Sequence, residues 1–207
     1  QKKITFIAQH TLSMSRIPQI IRQINSFSPK TSFRVVPANN HDCQSLFFKE
    51  GDLLLCYQNS SQPINFNQSS TLQIKLGDDY LLPVVSKELA IKMGPIVEGM
   101  TLPILMYPKG GFLAESLENV CLPSIFRDYR VELVCESAFS ASLKEMVLGS
   151  MGIAWLAKGL IEKELESGEL ISLENPLGSV VLDVLLLCNQ NARNDHVTDA
   201  FNIIGAL

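Results

Sequence analysis

The sequence predicts an α/β fold of two doubly wound subdomains joined by two crossover strands, and three observations predict it. Strand and helix patterns alternate from the start, as they do where helices cover both faces of a parallel sheet. The alternation stops at a polar stretch near residue 60 and starts afresh near residue 103. The last strand pattern, residues 180–188, has no partner in the second series and so returns to complete the first. The expected subdomains are residues 1–75 with 182–207, and residues 76–181, with a cleft between them.

The first series is justified element by element. Residues 4–8 (ITFIA) are β-branched and aromatic and read as a buried strand. In TLSMSRIPQIIRQINSF, Ser13 or Ser15 suits a helix cap and Pro18 fits the first turn, while Ile17, Ile20, Ile21 and Ile24 recur at helical spacing. FRVVPA (33–38) is a second strand, and the three segments make a βαβ unit. A shorter helix, HDCQSLFFKE, stops at Gly51 and feeds the strand LLLCY. Residues 59–70 (NSSQPINFNQSS) form a polar loop, after which TLQIKL and YLLPVV flank a Gly77-Asp78 turn.

The second series runs through the strand PILMY (103–107), the helix FLAESLENVCL, the strand VELVCE (131–136) and the helix SASLKEMVL. Gly149 and Gly152 end that helix and turn the chain, and IAWL is a fully buried parallel strand. KGLIEKELES is a surface helix closed by Gly168, and ELISL is a further strand. VVLDVLLLC is the returning strand and DHVTDAFNIIGAL the final helix.

Composition narrows the function. Of 207 residues, 46% are apolar and 18% charged, which describes a folded chain with a substantial core. No apolar run is long enough to cross a bilayer, so no membrane partner is expected. A net charge of -4 gives this piece alone no general attraction to nucleic acid. The start, QKKITFIAQH, shows no initiator Met or signal peptide and enters a strand at once, so the chain is read as a fragment. The five cysteines are widely spaced and never C-x-x-C, which fits a reducing cytoplasm and offers no zinc pattern. Cys56, Cys135 and Cys188 sit inside apolar runs as core residues, leaving Cys43 and Cys121 as the exposed thiols. No catalytic motif appears, and the side chains of His41, Asp42 and Cys43, contiguous on a helix, point apart. No enzyme, metal or cofactor is expected.

GSMGIAWL (149–156) and EKELESGELISL (162–173), together with the turn HTLSMS, Pro18 and KEGDLLLCY, resemble the effector-binding region of LysR-type transcriptional regulators over nearly the whole chain. The family usually has a proline where Ala157 stands and an aspartate where Leu54 stands. The resemblance implies a periplasmic-binding-protein-like fold of type 2 and a cytoplasmic regulator. It also implies a small-molecule effector, and an N-terminal winged helix-turn-helix outside this chain that binds promoter DNA. It further implies a homodimer or tetramer, in which the helix bearing Ile17, Ile20, Ile21, Ile24 and Phe27 packs on a partner's second subdomain.

Ligands of open α/β sheets sit beyond strand carboxyl ends, where helix N-termini favour anions. Thr11, Leu12, Ser13 and Met14 lie there after the first strand, and Asn40, beside Asn39, after the second. Tyr107 and Lys109 follow PILM, and Ser137, Phe139 and Ser140 precede the next helix. Capping by Ser13 or Ser15, turn chemistry at the asparagines and a solvated Lys109 are the plain structural alternatives. The resembled family uses these segments to line its effector site, and a small carboxylate or other anion is expected there. QKKITFIAQHTLSMSRIP and GIAWLA look most similar to the hypochlorite-responsive branch, whose sensing methionines align with Ile24, Leu113 and Phe139 here. None of these can become a sulfoxide, while Met14, Met106, Met146 and Met151 remain available. A further alternative is an exported solute-binding protein of similar two-lobed fold, which a signal peptide upstream would indicate.

Overall fold

The computed structural model describes residues 2–65, 70–192 and 194–206. The chain divides into two compact units, residues 1–78 with 182–207 and residues 79–181. Residues 66–69 of the expected polar loop lie outside the described residues.

In the first unit β1 (Lys2–Gln9) passes directly into α1 (His10–Ser15) and α2 (Ile17–Phe27). The chain continues through β2 (Thr31–Ala38), α3 (Asn40–Glu50) and β3 (Leu53–Gln58). β1 lies between β2 and β3 and pairs in parallel with both, from Lys2 opposite Thr31 and from Phe6 opposite Leu53. All five residues of LLLCY are fully buried, because both faces of β3 are covered. Cys43 and Phe47 of α3 join Ile7, Leu54 and Cys56 in one apolar cluster. Gly51 ends α3 with an ordinary extended backbone. A Cβ at that position would lie 2.7 Å from Ile7 Cγ1, so close packing of the α3 end on β1 is what excludes a side chain.

β4 (Thr71–Ser86) then runs without a break from the first unit into the second. This corrects the expected turn: Gly77 takes φ +139° inside a continuous strand. The second unit continues with α4 (Lys87–Met93), β5 (Thr101–Met106), α5 (Phe112–Val120), α6 (Leu122–Asp128) and β6 (Arg130–Glu136). It is completed by α7 (Ser140–Leu148), β7 (Ala154–Ala157), α8 (Lys158–Ser167), β8 (Leu170–Ser172) and the short turn α9 (Glu174–Leu177). The expected single helix over 112–122 is two helices, since Pro123 lacks the N–H that would extend α5 and fits the first turn of α6. β5 and β6 pair in parallel. The expected parallel strand IAWL joins β5 in parallel only through Ile153, and β7 proper runs antiparallel to β4, as does β8. The turn before it is made by Ser150, at φ +59°, as well as by glycines.

β9 (Val180–Asn189) returns to the first unit, antiparallel to β3 with Leu53 opposite Cys188, and α10 (Asp195–Gly205) follows. The sheet order there is β2-β1-β3-β9-β4. α10 packs on α2, and Val197, Phe201 and Ile204 of α10 and Ile17, Ile20 and Ile24 of α2 are buried. Three of the four isoleucines expected to face a partner are therefore in the core of their own chain. Ile21 is half-buried, and Phe27 is 70% exposed. The thiol expectation is also corrected: Cys43 and Cys121 are buried, and Cys135 is the half-buried one.

Candidate functional site

At the carboxyl end of β1 the chain enters α1 at once, which leaves the first helical N–H groups to be satisfied locally. Gln9 does this, its Oε1 accepting from Leu12 N at 3.1 Å, so the cap is neither Ser13 nor Ser15. Ser13 Oγ donates instead to the His10 carbonyl at 2.7 Å. Thr11 and Leu12 are buried, Leu12 completely, whereas Met14 is 54% exposed. Ser13 and Met14 are thus the members of the predicted quartet that solvent reaches. The structure adds Ser15 Oγ and Arg16 Nε, which are buried without a hydrogen-bond partner.

Asn40 has a structural task. Its Nδ2 donates to Tyr57 O at 3.0 Å and its Oδ1 accepts from Tyr57 N at 3.1 Å, tying the start of α3 to the end of β3. Asn39 Nδ2 reaches Asp42 Oδ2 at 3.4 Å.

In the second unit Tyr107 is buried, and its hydroxyl donates to Trp155 O at 3.0 Å and shares a hydrogen bond with Ser140 Oγ at 2.9 Å. Burial pushes the phenol well above its ordinary value, with the Ser140 contact acting weakly in the other direction. It is a fixed neutral group and offers a ligand only its ring. Lys109 is exposed, and with Tyr107 it lines a cavity of about 350 Å³ beside Met106, Leu117, Phe126 and Glu136. Ser137 and Phe139 do not line that cavity. Ser137 Oγ accepts from Phe139 N at 3.2 Å in a local turn, and Phe139 is 51% exposed. The structure brings Tyr107, Lys109 and Ser140 to one neighbourhood and leaves Ser137 and Phe139 on the loop between β6 and α7.

Among the described residues no three His, Cys, Asp or Glu side chains come together as a metal site. Burial pushes the Cys43 thiol up to about 12, helped by the Asp42 charge, and the Cys121 thiol up to about 11. Thiols held neutral in this way are poor nucleophiles.

The chain is 26% identical over 179 residues to the HTH domain-truncated transcriptional regulator QseD of Escherichia coli O157:H7, covering 84% of this chain and 68% of that protein. It is 25% identical over 181 residues to the HTH-type transcriptional regulator YjiE of Escherichia coli K12, again over 84% of this chain, and spans 54% of that protein's length. The regulatory domain of HypT from Salmonella typhimurium has the same fold, with a TM-score of 0.80 at 19% identity, covering 100% of this chain and 97% of that one. The family model described as LysR substrate binding domain matches residues 1–202, and the chain belongs to that family.

Proposed function

We propose that the chain is the effector-sensing and oligomerising part of a cytoplasmic transcriptional regulator, and that it binds a small, anionic effector. The observation that carries this reading is the family match over residues 1–202, joined to a β1–α1 turn that presents Ser13 and Met14 at a strand's carboxyl end. The loops after β5 and β6, with Lys109, Ser137 and Phe139, are the corresponding places in the second unit. A bound effector acts by stabilising one conformation over another, which requires unequal affinity for the two. Promoter DNA is contacted through a helix-turn-helix outside this chain, in a homodimer or tetramer. The description of YjiE as an HTH-type regulator supports the helix-turn-helix. Oxidant sensing has less support, because four of the five thiols are buried and positions 24, 113 and 139 hold no sulfur. Met14 is the exposed methionine of the α1 turn.

The test is a thermal-shift screen with small carboxylates, phosphate and sulfate on the purified chain, repeated on Ser13→Ala. An anion that raises the melting temperature, with a smaller rise in the variant, supports the reading. Stabilisation only by neutral or cationic compounds would replace the anionic effector with another class.

A further inference from the structure

The cavity of about 350 Å³ lies wholly within the second unit and is lined by the ends of β5 and β6 and by α5 and α6. The sheet register sets Met106 beside Glu136 there. Ala114, Leu117 and Glu118 reach it from α5, where positions three and four apart share a face, and Leu122 and Phe126 reach it from α6 at the same spacing. Tyr107, Ala114, Leu117 and Leu122 are buried and make an apolar floor, whereas Phe126 is 58% exposed. An apolar cavity of this volume with a few charged groups falls in the range of small-molecule sites, about 300–1,000 Å³.

The charges at the cavity decide what kind of molecule suits it. Lys109, Glu118 and Glu136 line it and are exposed. None of the described ion pairs includes any of the three, whereas the neighbouring base on α6, Arg127, is engaged by Asp128 at 2.6 Å. Two carboxylates against one ammonium leave the lining net negative, which favours a cation and opposes a lone carboxylate. The rings of Phe126 and Tyr107 act in the same direction, since an aromatic face attracts a cation. An apolar floor with a cation-favouring rim calls for a molecule that has both parts.

We propose that this cavity binds a small apolar molecule carrying an ammonium group, with the ammonium held by Glu118 and Glu136 and the apolar body seated on Leu117, Leu122 and Phe126. The site goes beyond the anionic effector proposed above and uses none of the β1–α1 turn. Two kinds of molecule share this chemistry, an arylalkyl amine and an apolar amino acid. Lys109 separates them, because only the amino acid offers it a carboxylate.

The experiment uses the whole chain, ¹⁵N-labelled, titrated separately with phenethylamine, phenylalanine and phenylpropionate to about 10 mM, a range that captures millimolar binding. The three probes share one apolar body and carry an ammonium, both charges and a carboxylate respectively. Backbone N–H signals between residues 106 and 136 are expected to move saturably with phenethylamine, phenylalanine or both, and phenylpropionate to bind about ten-fold more weakly or not at all. Glu118→Gln combined with Glu136→Gln should weaken the ammonium probe about ten-fold or more without lowering the melting temperature, as both side chains are exposed. Ser13→Ala should leave this binding unchanged. Lys109→Gln weakens phenylalanine where the amino acid is the source and leaves phenethylamine unchanged where the amine is, and either result supports the site. Phenylpropionate binding as tightly as the ammonium probes overturns the proposal, as does ammonium binding unchanged by the paired glutamine variant or the absence of saturable movement. The anionic-effector reading is tested separately, by the screen at Ser13, and survives each of these failures.

Discussion

Tyr107 and the thiols show that a residue's chemistry is set by its surroundings more than by its type. Sequence position suggested a ligand role for Tyr107 and exposure for Cys43 and Cys121, yet all three are buried. Burial is the leading cause that raises the Cys43 thiol to about 12, the Cys121 thiol to about 11, and Cys56 and Tyr107 well above their ordinary values. Each group is an acid whose folded-state value lies above its unfolded one, 9.0 for the thiols. As pH rises the unfolded chain therefore loses protons first, and the equilibrium tips toward it. Stability is fully retained below about pH 9 and declines from there toward the folded values. The urea midpoint is expected to fall between about pH 9 and pH 11, and to fall less steeply in Cys43→Ala and Cys121→Ala. An unchanged slope in both variants would mean that these thiols ionise freely in the native state.

At the scale of elements, α2 tests which face of a helix is available. Its isoleucine stripe was legible from spacing, but the surface that covers it was not. Periodicity marks an apolar face without saying whether a neighbour in the same chain or in a second chain covers it. Ile24 is 1% exposed against α10, whereas Phe27 is 70% exposed. Ile24→Glu is expected to unfold the chain or cost more than about 3 kcal/mol, because a carboxylate would enter the core. Phe27→Glu should stay within about 0.5 kcal/mol of the parent, as surface substitutions do. Circular dichroism melts measure both. If α2 also serves self-association, Phe27→Glu lowers the sedimentation coefficient without lowering the melt, and Ile24→Glu cannot be used to ask the question. β4 carries a related lesson. Gly77-Asp78 signals a hairpin only if the flanking strands pair with each other. Here the first half of β4 belongs with β9, and the second half pairs with β7 and β8.

For the molecule as a whole, the alternating pattern disclosed two α/β series and the return of residues 180–188, because strand and helix periods differ and the second series holds no partner for that strand. The unit boundary, read at residue 75, falls after Asp78 because β4 continues through the expected turn. The seven-residue helices α4 and α6 and the direction of β7 were not legible. Two turns carry little periodicity, and strand direction is decided by partners distant in sequence. Of the site, the segments were readable while the individual roles were not. Gln9 took the cap assigned to serine. The topology makes one further demand. β9 lies between β3 and β4 in the first unit's sheet, and α10 packs on α2. A chain ending at Val181 would lose residues 182–189 from the middle of that sheet. Leu54 and Cys56 would then be left without Leu187 and Leu185 opposite them, and α2 without its cover. The second unit keeps every strand that pairs within it, from the latter half of β4 to β8. Hydrogen exchange followed by mass spectrometry should therefore find residues 2–58 unprotected in the truncated chain and residues 101–177 still protected. Loss of protection in both segments would show instead that residues 79–181 cannot hold their fold without the first unit.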